Sequence, residues 1–196
     1  MLTTSIPPAQ ALARLMDGNR RYRENRPEHP RQGADRRMEV LSAPRPAAAL
    51  LSCADARVPP EIFFDQGVGD LFVIRNAGNL VDDGVLGALE FGVTTFKIPL
   101  ILVLGHTLCG AVMAAVAGSQ PVGHIGSITA ALQPAVSSSK DQPGDAVLNA
   151  TIANVRRMVA QIRTCPPVLA ELVQAGSIQV AGGLYHVDTG EVQLLA

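Results

Sequence analysis

The sequence is poor in the features that mark several classes of protein. Its 196 residues include no tryptophan and only 4% aromatic residues, and the formal net charge is -1. A chain without a strong positive charge has no electrostatic footprint for nucleic acid or for an anionic membrane, so we expect neither partner. Its apolar runs are short and are interrupted by glycine, proline or charged residues. None approaches the roughly 20 residues that span a bilayer.

Cysteine is also scarce. The three cysteines, Cys53, Cys109 and Cys165, are an odd and sparse set that does not make a disulfide framework. The N-terminal segment MLTTSIPPAQ lacks the basic start and the apolar core of a signal peptide, so we expect a cytoplasmic protein with reduced thiols. In such a protein each cysteine is a buried small side chain, a metal ligand or a nucleophile. The absence of a Cys-x-x-Cys pair disfavours a thiol redox protein.

The chain instead shows a clear alternation of strand and helix patterns. Four apolar runs predict buried strands, and they are residues 47–52, 71–74, 100–104 and 177–184. Helical spacing of apolar residues predicts helices between and after them. These helices cover residues 59–64, 82–96, 109–117, 128–136, 147–163 and 168–174. The alternation predicts an α/β fold with a mostly parallel central β-sheet flanked by helices.

The beginning of the chain has a different character. Residues 5–25 place apolar side chains near one face at helical spacing, which predicts an amphipathic helix. The segment that follows is basic and proline-rich, with one short helix predicted around residues 36–41. We therefore expect a single domain, 1–196, that consists of an N-terminal helical arm, 1–46, and an α/β core, 47–196.

Two polar clusters each follow a predicted strand. The first is Cys53-Ala-Asp55-Ala-Arg57 and the second is His106-Thr-Leu-Cys109. Because ligands of open parallel sheets bind beyond the carboxyl ends of the strands, the two clusters can meet in space although they are far apart in sequence. Together they offer two thiolates and an imidazole, which are good ligands for zinc. Three protein ligands leave a fourth position open, as in a catalytic zinc site.

These motifs resemble the signature of the β-class carbonic anhydrases, which is Cys-x-Asp-x-Arg followed by Gly-His-x-x-Cys-Gly. Here the signature stands as CADARV and GHTLCGA. The resemblance covers nearly the whole chain, most tightly residues 47–118. It implies a zinc-dependent lyase, a carbonate dehydratase, that reversibly hydrates carbon dioxide to bicarbonate and a proton by attack of zinc-bound hydroxide.

The resemblance also implies roles for individual residues. It identifies Cys53, His106 and Cys109 as the ligands of a Zn²⁺ cofactor, and Asp55 and Arg57 as the catalytic pair. In some members of the family the aspartate takes the fourth zinc position and closes the enzyme, which makes Asp55 the fourth ligand of a closed state. In the open state the arginine holds the aspartate away, because a paired guanidinium competes for the carboxylate.

The resemblance further places Val58, Phe72 and Phe91 along the family's apolar substrate cleft. Some positions depart from the pattern of many members. Ala56 stands where serine is usual, Phe91 where many have tyrosine, and Pro44 where plant-like members have glutamine. Because that serine is not a ligand in the family, we expect Ala56 to tune the surroundings of the metal rather than to inactivate the enzyme. The last two departures remove hydrogen bonds to substrate, so we expect them to alter how the substrate is placed.

By the same resemblance, the helical arm packs on a partner subunit, and the protein forms a homodimer or a homotetramer. Two other functions are compatible with the motifs. The same zinc site could act on carbonyl sulfide or carbon disulfide, or the metal could only stabilise the fold. The presence of Asp55 and Arg57 disfavours a purely structural metal, because such a site does not need that pair.

Overall fold

The computed structural model describes residues 6–118 and 122–195 of the chain. The described residues contain five strands, Ala48–Cys53 (β1), Leu71–Asn76 (β2), Leu100–His106 (β3), Gln179–Tyr185 (β4) and Val192–Leu195 (β5). They form one sheet with the order β2-β1-β3-β4-β5. The first four strands are parallel, and β5 is antiparallel to β4. The mostly parallel α/β fold predicted from the sequence is confirmed.

Helices connect and cover these strands. They are Pro8–Arg23 (α1), Ala34–Glu39 (α2), Pro60–Phe63 (α3), Asp83–Thr95 (α4), Gly110–Val116 (α5), Ile125–Ser139 (α6), Ala146–Thr164 (α7) and Val168–Gln174 (α8). Each predicted helix is present with small shifts at its ends, although Ser5, the first residue of the predicted amphipathic helix, lies outside the described residues. No helix in the described ranges combines the length and the apolar character that a membrane crossing requires.

The sheet is covered on both faces, which explains the continuous apolar runs of β1 and β3. On one face Leu50 and Leu102 belong to a core that also contains residues of α1, α5 and α6. On the other face Leu51 and Val103 belong to a core formed mainly with α4, α7 and α8. Because neighbouring residues of a strand point to opposite faces, a strand between two cores needs apolar side chains at every position.

The first helix packs against the core of its own chain. Leu15 is fully buried, and a Cβ atom on Gly18 would stand 1.8 Å from the carbonyl oxygen of Phe64, so the helix approaches that segment as closely as a glycine allows. The buried Asn19 donates to the carbonyl of Gly190 at 2.8 Å and accepts from the amide of Val192 at 2.9 Å. The expected packing of the arm on a partner subunit stays a prediction.

A buried carboxylate ties the arm to the segment before β2. Asp70, whose side chain is 3% exposed, lies within 3.2 Å of the guanidinium groups of Arg14, Arg31 and Arg36. It also accepts a hydrogen bond from the backbone amide of Gly67 at 2.8 Å. Burial alone would raise the pKa of Asp70, but the hydrogen bonds from Arg31 and Gly67 and the positive charge of Arg14 outweigh it, and the pKa is lowered.

The substitution Asp70→Asn tests this connection. It leaves three arginines around a neutral side chain, so we expect the free energy of unfolding at pH 7 to fall by about 3 kcal/mol. Since the folded-state pKa is depressed, the stabilisation is present above the unfolded pKa of about 3.9 and is lost as the pH falls through the folded pKa. Urea unfolding, measured from pH 7 to pH 2.5, should therefore show that the free energies of unfolding of the wild-type protein and of Asp70→Asn become equal in acid.

The control is Asp17→Asn, which removes an ion pair with Arg20 in which both side chains are largely exposed. An exposed pair of this kind contributes about 0–1 kcal/mol, so this variant should behave almost like the wild-type protein. If the two variants lost the same free energy of unfolding, or if the loss for Asp70→Asn did not depend on pH, the claim that the ionised Asp70 stabilises the fold would be wrong.

Candidate metal centre

The sheet brings the two motifs to one edge. β1 pairs in parallel with β3, so that Ser52 lies beside Leu104. Cys53 is the last residue of β1 and His106 is the last residue of β3, so both lie at the carboxyl end of the sheet. Cys109 immediately precedes α5. The candidate ligand atoms of the two cysteines and His106 all lie within 4.8 Å of one another, and all three residues are buried. The sequence prediction that these side chains meet is therefore supported by the geometry.

The ring of His106 is held so that one nitrogen keeps a free lone pair. Its Nδ1 lies 2.9 Å from the carbonyl oxygen of Thr107. A carbonyl oxygen only accepts hydrogen bonds, so Nδ1 is the donor, and in the neutral ring that binds a metal Nε2 carries the lone pair. Thr107 is itself fixed, because its amide donates to the carbonyl of Tyr185 at 2.9 Å and its hydroxyl accepts from the amide of Val187 at 3.0 Å. The Nε2 atom is buried and has no hydrogen-bond partner within the described residues.

The two sulfur atoms form a tightly coupled pair. The sulfurs of Cys53 and Cys109 are 4.0 Å apart. The hydrogen bond with Cys109 is the main factor that lowers the pKa of Cys53 to about 4; burial opposes this shift, and the nearby side chain of His106 and backbone groups assist it. The same contact, together with burial, raises the pKa of Cys109 above its usual range. The pair thus shares one proton, and the site favours at least one thiolate.

This donor set fits a zinc ion. Two Zn–S bonds of about 2.3 Å at a tetrahedral angle would place the sulfurs roughly 3.8 Å apart, close to the observed 4.0 Å. The buried Nε2 of His106 has no other partner among the described residues, and an unsatisfied buried acceptor is costly unless a ligand uses it. Two thiolates and one neutral imidazole leave a fourth position, as catalytic zinc sites do.

Asp55 and Arg57 form a bidentate pair beside the cysteines. The Nε and Nη2 atoms of Arg57 donate to the two carboxylate oxygens of Asp55 at 2.9 and 2.7 Å. The backbone amide of Arg57 also donates to the same carboxylate at 2.9 Å. The hydrogen bond from the guanidinium holds the pKa of Asp55 well below its usual range, so this carboxylate is ionised at neutral pH.

Leu108 connects this pair to the second motif. Its carbonyl oxygen accepts a hydrogen bond from Nη2 of Arg57 at 3.1 Å. Leu108 has a φ of 58°, a left-handed conformation that is costly for a leucine, and its side chain is 58% exposed. No role for Leu108 is predicted by the sequence pattern. Neither a carbonyl contact nor the sign of a leucine φ angle leaves a signal in a single sequence.

A second arginine holds the loop of the first motif. Arg75, at the end of β2, donates to the carbonyl oxygens of Cys53 at 2.9 Å and of Asp55 at 2.6 Å. It lies beside Ser52 in the register of β1 with β2. Arg75 thus fixes the backbone that carries the candidate ligand Cys53 and the carboxylate of Asp55. A structural rather than a chemical role for Arg75 agrees with the expectation from the sequence, but the pattern shows only an arginine at a strand end and not its partners.

The three predicted cleft residues lie in different places. Val58 is buried in the same apolar cluster as Cys53 and Cys109. Phe72 belongs to the cluster on the opposite face of the sheet, where its ring lies 5.9 Å from that of Phe96. Phe91 is mostly exposed, with its ring 5.5 Å from the same phenylalanine. A single chain therefore does not gather the three around one pocket, and roles for Phe72 and Phe91 in substrate binding stay predictions.

Comparison with known proteins agrees with this geometry. The family model described as "Carbonic anhydrase" matches residues 48–192. A carbonic anhydrase of Mycolicibacterium smegmatis is 39% identical over 191 residues, which cover 95% of this chain and 93% of that protein. The match includes the arm as well as the core, so the similarity is not confined to the metal-binding motifs.

Solved structures give the same result. A Coccomyxa β-carbonic anhydrase in complex with acetazolamide is 27% identical, with a TM-score of 0.75 over 94% of this chain and 86% of that one. A chain of a tetrameric β-carbonic anhydrase from the filamentous ascomycete Sordaria macrospora has a TM-score of 0.75, and the likeness covers 96% of this chain and 95% of that one. At 19% identity, this second likeness shows the fold alone. Together with the matched family model, these findings show that the chain belongs to the carbonic anhydrase family, in its β class.

Proposed function

We propose that this chain is a zinc enzyme that reversibly hydrates carbon dioxide to bicarbonate and a proton. One observation carries the proposal. The ligand atoms of Cys53, His106 and Cys109 lie within 4.8 Å of one another, next to the ionised carboxylate of Asp55. The 39% identity to a carbonic anhydrase of Mycolicibacterium smegmatis supports the same reaction.

The three buried side chains would hold Zn²⁺. When bound, zinc acts as a Lewis acid that brings the ionisation of water close to neutral pH. Cys53 and Cys109 would supply two negative charges that balance the charge of the ion, and His106 would use the lone pair on Nε2. The carbonyl of Thr107 keeps the proton on Nδ1 and so keeps Nε2 available.

Asp55 would orient the attacking water. An ionised carboxylate only accepts hydrogen bonds. Oδ1 of Asp55 accepts from both Nε and the backbone amide of Arg57, whereas Oδ2 accepts from Nη2 alone among the described residues and keeps a lone pair for the water. When the carboxylate accepts a hydrogen bond from one O–H of the water, a lone pair of the water oxygen can point at the carbon of the substrate. Arg57 donates a hydrogen bond to each oxygen of the carboxylate, which favours the open state, in which Asp55 is held away from the metal. The closed state, with Asp55 as fourth ligand, stays a prediction.

The substrate side of the site would be apolar. Carbon dioxide is small and has no net charge, and the buried Val58 and the exposed side chain of Leu108 lie on the two loops that carry the ligands. Attack by water on carbon dioxide forms one C–O bond while one C=O π bond opens onto its oxygen, and loss of one proton of the water to buffer leaves bicarbonate. The apolar surroundings limit competing water, while the product anion leaves into solvent.

Assembly and location are part of the same proposal. The Sordaria macrospora relatives are tetrameric, which supports a homodimer or homotetramer of this chain as well. A small-molecule substrate, the absence of nucleic-acid and membrane partners, and a cytoplasmic location remain the expectations stated from the sequence. Light scattering of the purified protein tests the oligomeric state, and a monomer would contradict it.

Exchanging single cysteines for serine tests the metal site. We expect the wild-type protein to contain about one zinc per chain. Cys53→Ser and Cys109→Ser should lose zinc, and their rate of carbon dioxide hydration should fall. The fall should exceed the roughly 10–100-fold that follows when a residue that only contacts a metal ligand is changed. Cys165→Ser is the matched control, because this third cysteine is no part of the cluster. Metal analysis and stopped-flow hydration on the same samples measure both. Loss of zinc in the control, or full activity without zinc, would refute the assignment.

The substitution Asp55→Asn tests the role of the carboxylate. Asparagine keeps the shape but presents a donor and no charge, so we expect carbon dioxide hydration to fall by about 100-fold, with zinc content unchanged. Asp35→Asn, in the first turn of α2, is the control and should hydrate carbon dioxide at the wild-type rate. An unchanged rate for Asp55→Asn would contradict the mechanism. Turnover of carbonyl sulfide or carbon disulfide alone would contradict the substrate.

A further inference from the structure

We propose that Thr107 is a positioning residue for the metal centre, because its hydroxyl takes the place of its own backbone carbonyl in the β3–β4 ladder and so leaves that carbonyl to hold the ring of His106. The inference rests on the proposed function, since it concerns how a zinc-ligating imidazole is oriented. Most side chains at position 107 could not perform this task, because they lack a hydrogen-bond acceptor close to the main chain.

The hydrogen-bond ladder between β3 and β4 runs to the last residues of both strands. His106 pairs with Tyr185, and the amide of Thr107 donates to the carbonyl of Tyr185 at 2.9 Å. In a parallel pair the bonds are evenly spaced and run alternately from one strand to the other, so the next bond would join the amide of Val187 to the backbone carbonyl of Thr107. A regular ladder would therefore use this carbonyl within the sheet.

The structure departs from this regular pattern at Thr107. The amide of Val187 donates to the hydroxyl oxygen of Thr107, at 3.0 Å, in place of the backbone carbonyl. The carbonyl oxygen of Thr107 instead lies 2.9 Å from Nδ1 of His106. Thr107 thus offers two acceptors, of which the hydroxyl serves the segment after β4 and the carbonyl serves the ring of the candidate ligand.

A turn holds the donor of this bond in place. Within residues 186–190, the amide of Gly190 donates to the carbonyl of His186 at 2.8 Å. The carbonyl of Gly190 accepts in turn from Nδ2 of the buried Asn19 of α1, also at 2.8 Å. Because the turn is fixed in this way, the amide of Val187 stays directed at the end of β3 and needs an acceptor there.

Loss of the hydroxyl should therefore be felt at the ring of His106. A valine at position 107 keeps the shape of threonine but has no acceptor in its side chain, so the amide of Val187 would turn to the backbone carbonyl that a regular ladder provides. A carbonyl that points across the sheet no longer points at the ring, and the ring loses the bond that fixes its orientation. Removing such a bond from a metal-ligating histidine lowers metal affinity by about 10–100-fold. A threonine with only a structural role would tie β3 to the turn without affecting the metal.

The experiment compares the full-length variants Thr107→Val and Thr107→Ser with Thr151→Val. Serine keeps the hydroxyl, so it should behave like threonine, and Thr107→Ala replaces the valine variant if that one does not fold. Thr151 is a matched control, because it is a buried threonine of α7 that packs against β3, where a Cβ atom on Gly105 would lie 3.0 Å from its methyl group. Its hydroxyl, however, donates at 2.8 Å to the carbonyl of Val147 in its own helix. The dissociation constant for zinc is measured by competition with a chelator, and the ring N–H of His106 is observed by ¹⁵N NMR in the zinc-loaded protein.

We expect the zinc dissociation constant to rise by about 10–100-fold in Thr107→Val, and the ring N–H of His106 to shift and to exchange faster with solvent. In Thr107→Ser and Thr151→Val the dissociation constant should stay within about two-fold of the wild-type value, with the ring signal unchanged. If Thr107→Val loses thermal stability but keeps the zinc affinity and the ring signal of the wild-type protein, the inference is wrong and the proposed function stands. The same holds if Thr107→Ser or Thr151→Val weakens zinc binding as much as Thr107→Val does. If the wild-type protein binds no zinc, the proposed function fails, and this inference fails with it.

Discussion

The parallel pairing of β1 with β3 is the constraint on which the site depends. It carries Cys53 and His106 to the same edge of the sheet, although they lie in separate βα units. The register is set by burial on both faces, because apolar cores cover the strands from either side. A slip by one residue would turn every side chain to the other face, so the packing that stabilises the fold also places the ligands.

The centre itself is held mainly through main-chain groups. Arg75 binds the carbonyls of Cys53 and Asp55, and Arg57 reaches from the carboxylate of Asp55 to the carbonyl of Leu108. The two arginines therefore link the first motif to a strand end and to the second motif. Such contacts restrict the loops without adding titratable groups that could compete for a metal. The left-handed Leu108 is the local cost of this arrangement.

The sequence allowed the fold and the three ligand candidates to be predicted because each leaves a periodic or chemical pattern. The apolar run of β3 indicated a buried strand, and His106 and Cys109 followed it at a spacing that suits one metal. The partners of Asp70, the contacts of Arg75 and the bond between Val187 and Thr107 could not be predicted in this way. They join residues distant in sequence, and a single sequence carries no record of such pairs. The separation of Phe72 from Val58 has the same origin, since it depends on which face of the sheet each residue occupies.

X-ray absorption at the zinc edge of the purified protein tests the central claim most directly, because it reports the atoms that surround the ion. The account predicts two sulfur neighbours at about 2.3 Å, one imidazole nitrogen at about 2.0–2.1 Å and one further light atom, in a four-coordinate shell. A shell without sulfur, or one with a single sulfur, would show that Cys53 and Cys109 do not both bind the metal and would contradict the account.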